Sequence, residues 1–558
     1  MQKILSAEEM REVDRQTTEK YGIPSIILME NAAHAAANVI KEKLGGSVAG
    51  KSFLILCGKG NNGGDGAALA RILLAQNARV TVLIFGKIID TQGDANLNFQ
   101  ILHKISLDNN FLDLIECEKT EIKEKFHQTF FRGTLKPFDC LVDALFGTGL
   151  TRPLDENFNY VIEIINQKQL WKQRRDLYLI VSIDIPSGLN ANSAELIGKN
   201  IHADITVTFT APKIANVMSP SSKFNGELFV ADIGSRSLIR KIEVRNYVIL
   251  PDGVRGFLCE TQVQKDSYKK TRGTCLIIAG SDDFSGAAVL AANACFAAGA
   301  GMVSVAVAKA IKPIVAAKTS DEIIVKTLEK TEIKNEKVDV IAIGCGLEIE
   351  GRSPRVSKGG QASESNPSLL TRELLLEIVE NRNAPMVLDA EALNALSPFD
   401  LQGSDEFPLI LTPHIGEFKR LLGREIGENK IEETREFAEK HNVILVLKGE
   451  RSLIAAPDGK IIINPTGNAG ISRAGSGDTL TGIITSFIAQ TLAAKKSEKD
   501  ETNLDKILQA VIAALYVAGK AGDIAAAKFS QRFMTATDIR HCLAQAVCEI
   551  DDRESKII

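Results

Sequence analysis

The residues KGNNGGDGAALA (59–70) stand between an apolar run, SFLILC (52–57), and a helical pattern, AALARILLAQ (67–76). The run reads as a buried strand and the pattern as a helix. Between them, Gly lets the backbone turn tightly and approach a ligand closely. Asn and Asp accept the same tight turns and supply oxygens. Open α/β sheets bind ligands at the carboxyl ends of their strands. The first amides of the following helix favour an anion. The stretch therefore predicts a strand–loop–helix unit of a parallel sheet, with a ligand site at its strand ends.

The same alternation continues outward. From Lys51 to about Ile233 the strand candidates are SFLILC, ARVTVLIF, FDCLVDALF, LYLIVSID, ADITVTFT and ELFVADI. A second series starts near Gly273 with GTCLIIAG, MVSVAVA, VDVIAIG, PMVLDA, LILT, NVILVLKG, SLIAA and KIIIN, and ends in helical patterns around 476–491 and 506–527. Strands alternating with helices imply βαβ units. A charged connector, roughly 235–270, carries Pro251, Asp252 and Gly253 and is the expected boundary. The domains expected are 1–235, a linker at 236–254, and 255–550. SPRVSKGGQASESNPS (353–368) reads as a surface insertion and AAKKSEKDETN (493–503) as a solvated loop.

A chain of 558 residues with 45% apolar and 24% charged residues can bury more than one core. The net charge of −4 offers no basic field for nucleic acid or a membrane surface. Nine scattered cysteines without a C-x-x-C pair suit reduced thiols and a cytoplasmic setting. The start, MQKILSAEEMREVDRQT, is a charged amphipathic helix pattern and not a targeting segment. No run of about 18 apolar residues predicts a membrane span.

Three further motifs belong with the first. VDALFGTGLTRPL (142–154) brings Asp143 to a strand end before a Gly-Thr-Gly turn. SIDIPSGLNANS (182–193) does the same for Asp184, ahead of Pro186-Ser187-Gly188, and ADITVTFTAPK (203–213) ends a strand just before Lys213. In a parallel sheet these strand ends meet on one edge. Asn62, Asp143 and Ser187 then offer oxygens to a hard cation, and the Gly-rich turns offer amides to phosphates.

In the second half, NPTGNAGISRAGSGDTLTGIITSFIAQ (464–490) runs from Gly475 and Gly477 straight into a helix carrying Asp478. Bare helix amides there form an anion hole for a phosphoryl group in transfer. An Asp at that mouth can take the proton of an attacking hydroxyl. No Walker loop is present in a suitable context.

Together NNGGDG, VDALFGTGL, DIPSGL and ADITVTFTAPK, with MENAAHAAA (29–37) ahead of them, resemble the YjeF N-terminal domain, an NAD(P)H-hydrate epimerase, over about 1–235. RGTCLIIAGSDDFSGAAVLAANACFAAGAGMVSVAV (272–307), VIAIGCGLE (340–348), VLDAEALNAL (387–396), LTPHIGEFKRLLG (411–423), VLKGERSLIAAPDG (446–459) and the AGSGD loop resemble the YjeF C-terminal domain, an ADP- or ATP-dependent NAD(P)H-hydrate dehydratase of the ribokinase-like superfamily, over about 255–550. The resemblance implies an N-terminal Rossmann-like three-layer sandwich and a C-terminal ribokinase-like α/β domain. Nearly the whole chain then looks like a bifunctional NAD(P)H-hydrate repair enzyme.

The resemblance also implies roles. In the first half Asn61, Asn62, Gly63, Gly64 and Asp65 contact the dinucleotide, and Gly147, Thr148, Gly149, Leu150, Thr151, Arg152 and Pro153 line its phosphates. Asn62, Asp143 and Ser187 hold K⁺, and Asp184 is the acid/base. In the second half Asp478 is the catalytic base. Gly475, Gly477, Lys448, Gly449, Glu450, Arg451 and Ser452 bind the nucleotide, with Mg²⁺ on its phosphates, while His414, Gly346 and Ala287 contact the hydrated substrate. A kinase-like domain of this type implies a homo-oligomer. Three positions depart from the expected pattern: Phe284 for Tyr, AGSGD for GGTGD, and GCGLE for GPGLG.

Taken from the residues alone, other readings stand beside these. His414 after Pro413 can simply cap the helix IGEFKRLLG, and Asp389 and Glu417 can stabilise loops or support the geometry behind the site, with neither expected as the catalyst. The GSGD loop equally suits a vitamin-precursor kinase with a fused binding domain, and a non-enzymatic nucleotide-recognition protein is a third class. NNGGDG with DIPSGL has no use in a plain kinase, and retention of Asp65, Asp143, Asp184 and Asp478 speaks against a silent binder.

Overall fold

The computed structural model describes residues 1–131, 138–167, 178–329, 337–350, 370–427, 429–494 and 502–552. The stretch expected as an insertion (353–368) and most of the loop expected at 493–503 lie outside them. The chain divides into two compact units, one of residues 3–244 and one that starts at Arg245 and also takes in residues 1–2.

The N-terminal unit is built on strands β1 (Ser52–Cys57), β2 (Arg79–Phe85), β3 (Leu112–Cys117), β4 (Cys140–Ala144), β5 (Leu179–Ile183), β6 (Ile205–Phe209) and β7 (Glu227–Ala231). Their order is β3-β2-β1-β4-β5-β6-β7, and every pairing is parallel. The period of two splits β1 between two cores. Phe53, Ile55 and Cys57 pack with Ala67, Leu69 and Phe99 of the helices Asn61–Ala75 and Gly93–Ser106. Leu54 and Leu56 pack with Phe126, Val161 and Ile165 of the helices on the opposite face. Two buried faces make a three-layer sandwich, and each fully buried Leu, Ile or Phe contributes roughly 1.5–3 kcal/mol.

The sequence places NNGGDG in a loop, but the structure puts it in the first turns of the helix Asn61–Ala75. Close packing is the reason. A Cβ on Gly63 would fall 1.8 Å from the Gly58 carbonyl oxygen, and one on Gly64 would fall 2.8 Å from the Ala95 Cα. These glycines let the helix start against the strand end, so its first amides stay at the sheet edge.

The C-terminal unit carries strands β8 (Asn246–Val248), β9 (Thr274–Ile278), β10 (Met302–Val307), β11 (Ile324–Thr327), β12 (Val340–Ile343), β13 (Met386–Leu388), β14 (Leu409–Leu411), β15 (Ile444–Leu447), β16 (Leu453–Ala455) and β17 (Ile461–Ile463). They run in the order β8-β17-β16-β15-β14-β13-β12-β9-β10-β11. β16 is antiparallel to both of its neighbours, and the pairs from β15 through to β11 are parallel. One face is covered by the helices Ser285–Ala297, Ser476–Ala493 and Asn503–Phe533. The last is long and apolar enough to cross a membrane by length and composition, but 72% of its apolar window is buried in this core. Both units are α/β, as the alternating pattern predicts.

Two candidate active sites

Parallel strands bring the N-terminal acids to one edge. Asp143, fully buried at the end of β4, accepts from Ser182 Oγ at 2.8 Å, Ser187 Oγ at 2.6 Å, the Ser187 amide at 2.9 Å and the Leu145 amide at 3.3 Å. Burial pushes its carboxyl up and these hydrogen bonds pull it back. Asp184, just beyond β5, takes the left-handed conformation at φ 67°. That conformation costs a non-glycine residue on the order of 1–3 kcal/mol, although Asp tolerates it best. Lys213 Nζ donates to Asp184 Oδ1 at 2.6 Å, to Thr208 Oγ1 at 2.9 Å and to the Phe209 carbonyl at 3.2 Å. Thr208 Oγ1 adds a bond to Asp184 Oδ1 at 3.1 Å.

Asn62, Gly147 and Asp184 converge. A Cβ on Gly147 would stand 3.2 Å from Asp184 Oδ2 and 3.4 Å from the Asn62 side chain. The Asn62 amide is buried, and neither its oxygen nor its nitrogen has a hydrogen-bond partner. Burial pushes the Asp65 carboxyl well up, with Asp184 and Asp14 adding to the effect. Leu150 is buried in the flanking core, whereas Asn61, Gly149, Thr151, Arg152 and Pro153 are exposed. The sequence reading passed over Lys213 as a site residue and over Asp14 altogether. The signal for Asp14 was its place on the apolar face of its helix, beside Met10, Val13 and Thr17.

The C-terminal site forms where β12, β13 and β15 end against the first turn of the helix Ser476–Ala493. Gly475, at φ 88°, is the residue before that helix, and Ser476, Gly477 and Asp478 form its first turn. Ser476 Oγ and Thr479 Oγ1 are buried without partners at the same helix start. Free amides and free hydroxyls together suit a phosphoryl group. Burial and then Asp389 push the Asp478 carboxyl up, which makes it a stronger proton acceptor than an ordinary carboxylate. Lys448 Nζ donates to Asp389 Oδ1 at 2.6 Å, and Thr481 Oγ1 to Asp389 Oδ2 at 2.7 Å. A Cβ on Gly477 would lie 3.6 Å from Lys448 Nζ and 3.8 Å from Asp389 Oδ2. Asp389 therefore lies within this site, in the supporting place the sequence reading allowed it.

On the other side of the site, a Cβ on Gly346 would fall 2.7 Å from Ala287 Cβ and 2.9 Å from Phe284 Cβ, so these three lie together. His414 is the helix cap that its position after Pro413 permitted. Its Nδ1 accepts from the Gly416 amide at 3.0 Å and the Glu417 amide at 3.3 Å. Nε2 takes no part in this cap; the side chain is 54% exposed, and Nε2 stands 3.4 Å from a Glu417 carboxylate oxygen. The Lys448 amide donates to the Pro413 carbonyl at 2.8 Å, which ties His414 to the Lys448 turn. Arg451 is drawn to the Pro465 carbonyl, and the Ser452 carbonyl accepts from the Asn464 amide at 3.0 Å. Gly449 and Glu450 are exposed in the same turn.

One α/β unit with acids gathered around an unpartnered buried amide, joined to a second with a glycine-led helix mouth beside a half-buried carboxyl, has the features of a two-site enzyme of nucleotide-like ligands. Residues 25–215 match the family described as YjeF-related protein N-terminus, and residues 275–545 match the family described as NAD(P)H-hydrate dehydratase. The chain is 35% identical to the bifunctional NAD(P)H-hydrate repair enzyme Nnr of Moorella thermoacetica, covering 100% of this chain and 98% of that protein. It is 30% identical to the protein of the same name from Thermofilum pendens, over 98% of this chain and 96% of that one. Among solved structures it is similar to the ADP/ATP-dependent NAD(P)H-hydrate dehydratase from Bacillus subtilis co-crystallized with ATP/Mg2+, at 27% identity and a TM-score of 0.45, over 55% of this chain and 98% of that one. The chain belongs to the bifunctional NAD(P)H-hydrate repair enzyme family.

Proposed function

We infer that this chain epimerises the R and S forms of hydrated NADH and NADPH in its N-terminal unit, and dehydrates the S form to NAD(P)H in its C-terminal unit using ADP or ATP. The observation that carries this is that one chain holds both a buried-acid site and a phosphoryl-type helix mouth, under two different family matches. A plain kinase would have no use for the first site.

Hydration leaves a hydroxyl on C6 beside the ring nitrogen. In the C-terminal unit Asp478 takes the proton of that hydroxyl as its oxygen attacks the terminal phosphoryl group. The amides at Gly475 and Gly477 and the ammonium of Lys448 hold the transferring charge. The ring nitrogen then expels phosphate from C6, and loss of a ring proton restores the dihydronicotinamide. Asp389 keeps Lys448 beside Gly477. The Lys448–Ser452 turn supplies the nucleotide's phosphate contacts, and Ala287, Gly346 and the outer edge of His414 shape the substrate side. Mg²⁺ neutralises phosphate charge when bound.

In the N-terminal unit Asp184 moves the proton of the C6 hydroxyl. Asn61 to Asp65 and Gly147 to Pro153 hold the dinucleotide. Asn62, Asp143 and Ser187 would hold K⁺, whose charge offsets the pyrophosphate; the unpartnered buried Asn62 oxygen is the feature that fits it. We place the enzyme in the cytoplasm as a homo-oligomer, with small-molecule ligands and neither nucleic acid nor membrane as partner. Chromatographic separation of the epimers tests the assignment. R and S forms should interconvert without nucleotide, and adding nucleotide should yield NADH with one phosphate released per turnover. NADH formed without phosphate release would overturn it.

A further inference from the structure

Asp14 lies on the helix Ala7–Tyr21, among its buried residues Met10, Val13 and Thr17. The helix is fixed against the site. Its start is closed by reciprocal bonds between Ser6 and Glu9 at 3.1 Å and 2.7 Å. The Leu5 amide donates to the Pro212 carbonyl at 3.0 Å, next to Lys213, and the Ala7 amide donates to Asn192 Oδ1 at 2.8 Å, in the segment after Asp184. Thr17 Oγ1 donates to Ser235 Oγ at 3.1 Å.

Asp14 Oδ1 is buried and has no hydrogen-bond partner. Lys213 does not supply one, because its three protons go to Asp184, Thr208 and the Phe209 carbonyl. The charged groups that face Asp14 are Asp184, Lys213 and Asp65. The one ammonium among these groups is bonded to Asp184 and not to Asp14. Burial pushes Asp14 up to about 6; Lys213 opposes this and Asp184 adds to it. An acid held up in this way keeps a proton available for donation. A buried unpaired carboxylate oxygen with no structural partner also asks for a task.

We propose that Asp14 is the second proton carrier of the epimerase site, working with Asp184 on the hydrated nicotinamide ring. The proposal rests on the epimerase reading above. Asp184 takes the C6 hydroxyl proton, the C6=O bond forms, and the C6–N1 bond breaks. The N1 electron pair takes the proton of the Asp14 carboxylic acid, because an unprotonated nitrogen would be a poor leaving group. Rotation about C5–C6 turns the aldehyde. In reclosure N1 attacks the opposite face and returns its proton to Asp14, while Asp184 returns its proton to the C6 oxygen. Nothing is oxidised, reduced or lost.

The test compares the full-length protein with Asp14→Asn and Asp14→Glu on NADH hydrate, whose phosphates do not titrate near neutrality as the 2′-phosphate of NADPH hydrate does. Wild type should interconvert the epimers with kcat falling as pH rises past about 6. Asp14→Asn should lower kcat about 100-fold, lose that limb of the profile, keep KM within about threefold, and leave dehydration of the S form unchanged. Asp14→Glu should recover part of the rate and restore a limb. Folding should respond oppositely. A carboxyl with a raised folded-state pKa contributes stability at low pH that is lost as pH rises through that pKa, so Asp14→Asn should match or exceed wild-type Tm at pH 8. An inactive wild type would overturn the epimerase reading itself. An active wild type with an Asp14→Asn variant that keeps its rate, or keeps the pH limb at a lower rate, would overturn only the role of Asp14.

Discussion

The ammonium of Lys448 lies 2.6 Å from a carboxylate oxygen of Asp389, with side chains only 20% and 3% exposed. Burial works against the ammonium, yet Asp389 and Glu417 outweigh it and hold Lys448 above its ordinary value. A base with a raised folded-state pKa contributes stability below its unfolded value and loses it only as pH rises through the folded one. The pair is therefore intact throughout the neutral range. Lys448→Met leaves Asp389 buried without its cation, which costs about 3–5 kcal/mol. Denaturant unfolding should show this loss, and dehydration should fall with it. An unchanged midpoint with normal dehydration would contradict the role of the pair.

In the proposed mechanism Asp478 acts only in the C-terminal unit. Asp478→Asn keeps the shape of the helix mouth and removes the proposed base. Dehydration should fall on the order of 10²–10⁴-fold, while interconversion of the epimers stays near normal. Loss of both activities in a folded variant would refute independent sites.

Lys213 is the single ammonium among Asp14, Asp65 and Asp184. With its side chain 1% exposed and Asp184 13% exposed, Lys213→Met should destabilise the N-terminal unit by about 3–5 kcal/mol. The sign with pH is fixed by what remains. Carboxyls left without a cation have raised folded-state pKa values, so the variant should regain stability as pH falls and lose it as pH rises. A deficit independent of pH between 5 and 8, by about three pH units, would show a packing loss instead.

Asn62 carries a buried amide with both polar atoms unpartnered. An unmet buried polar group costs about 1–3 kcal/mol, so Asn62→Ala should not lower Tm in a buffer free of K⁺. Wild type should gain Tm and epimerase rate on addition of K⁺, and the variant should gain neither. An equal K⁺ response in both would remove Asn62 from the cation site.

The architecture was legible because apolar runs such as SFLILC and VDALF are short, bounded and separated by helical spacing, and because the turn motifs recur in a fixed order. The strand Leu112–Cys117 escaped: LDLIEC alternates apolar and acidic residues, and it lies at the edge of the sheet. The strands Asn246–Val248 and Ile324–Thr327 were missed for similar reasons of length and polarity. At the sites, the motifs brought Asn62, Asp143 and Asp184 to one sheet edge and Gly475, Gly477 and Asp478 to one helix start, and the structure has them there. Asp14 was not legible, and the partner of Asp389 was not, because what matters is what stands across from them: an occupied Lys213 in one case and Lys448 in the other. Pairing between distant segments leaves no local pattern. His414 shows the converse, since a residue in a conspicuous motif turns one ring nitrogen to helix capping and leaves only the other outward.

The most direct measurement gives purified protein a mixture of both epimers of hydrated NADH, with Mg²⁺ and either ADP or ATP, and follows the near-ultraviolet absorbance of the restored dihydronicotinamide. Recovery of the whole mixture, faster than spontaneous epimerisation allows, is the expected result, and the nucleotide that supports it is the phosphoryl donor. Recovery that halts at the S fraction would contradict the epimerase half of the account, and no recovery with either nucleotide would contradict the dehydratase half.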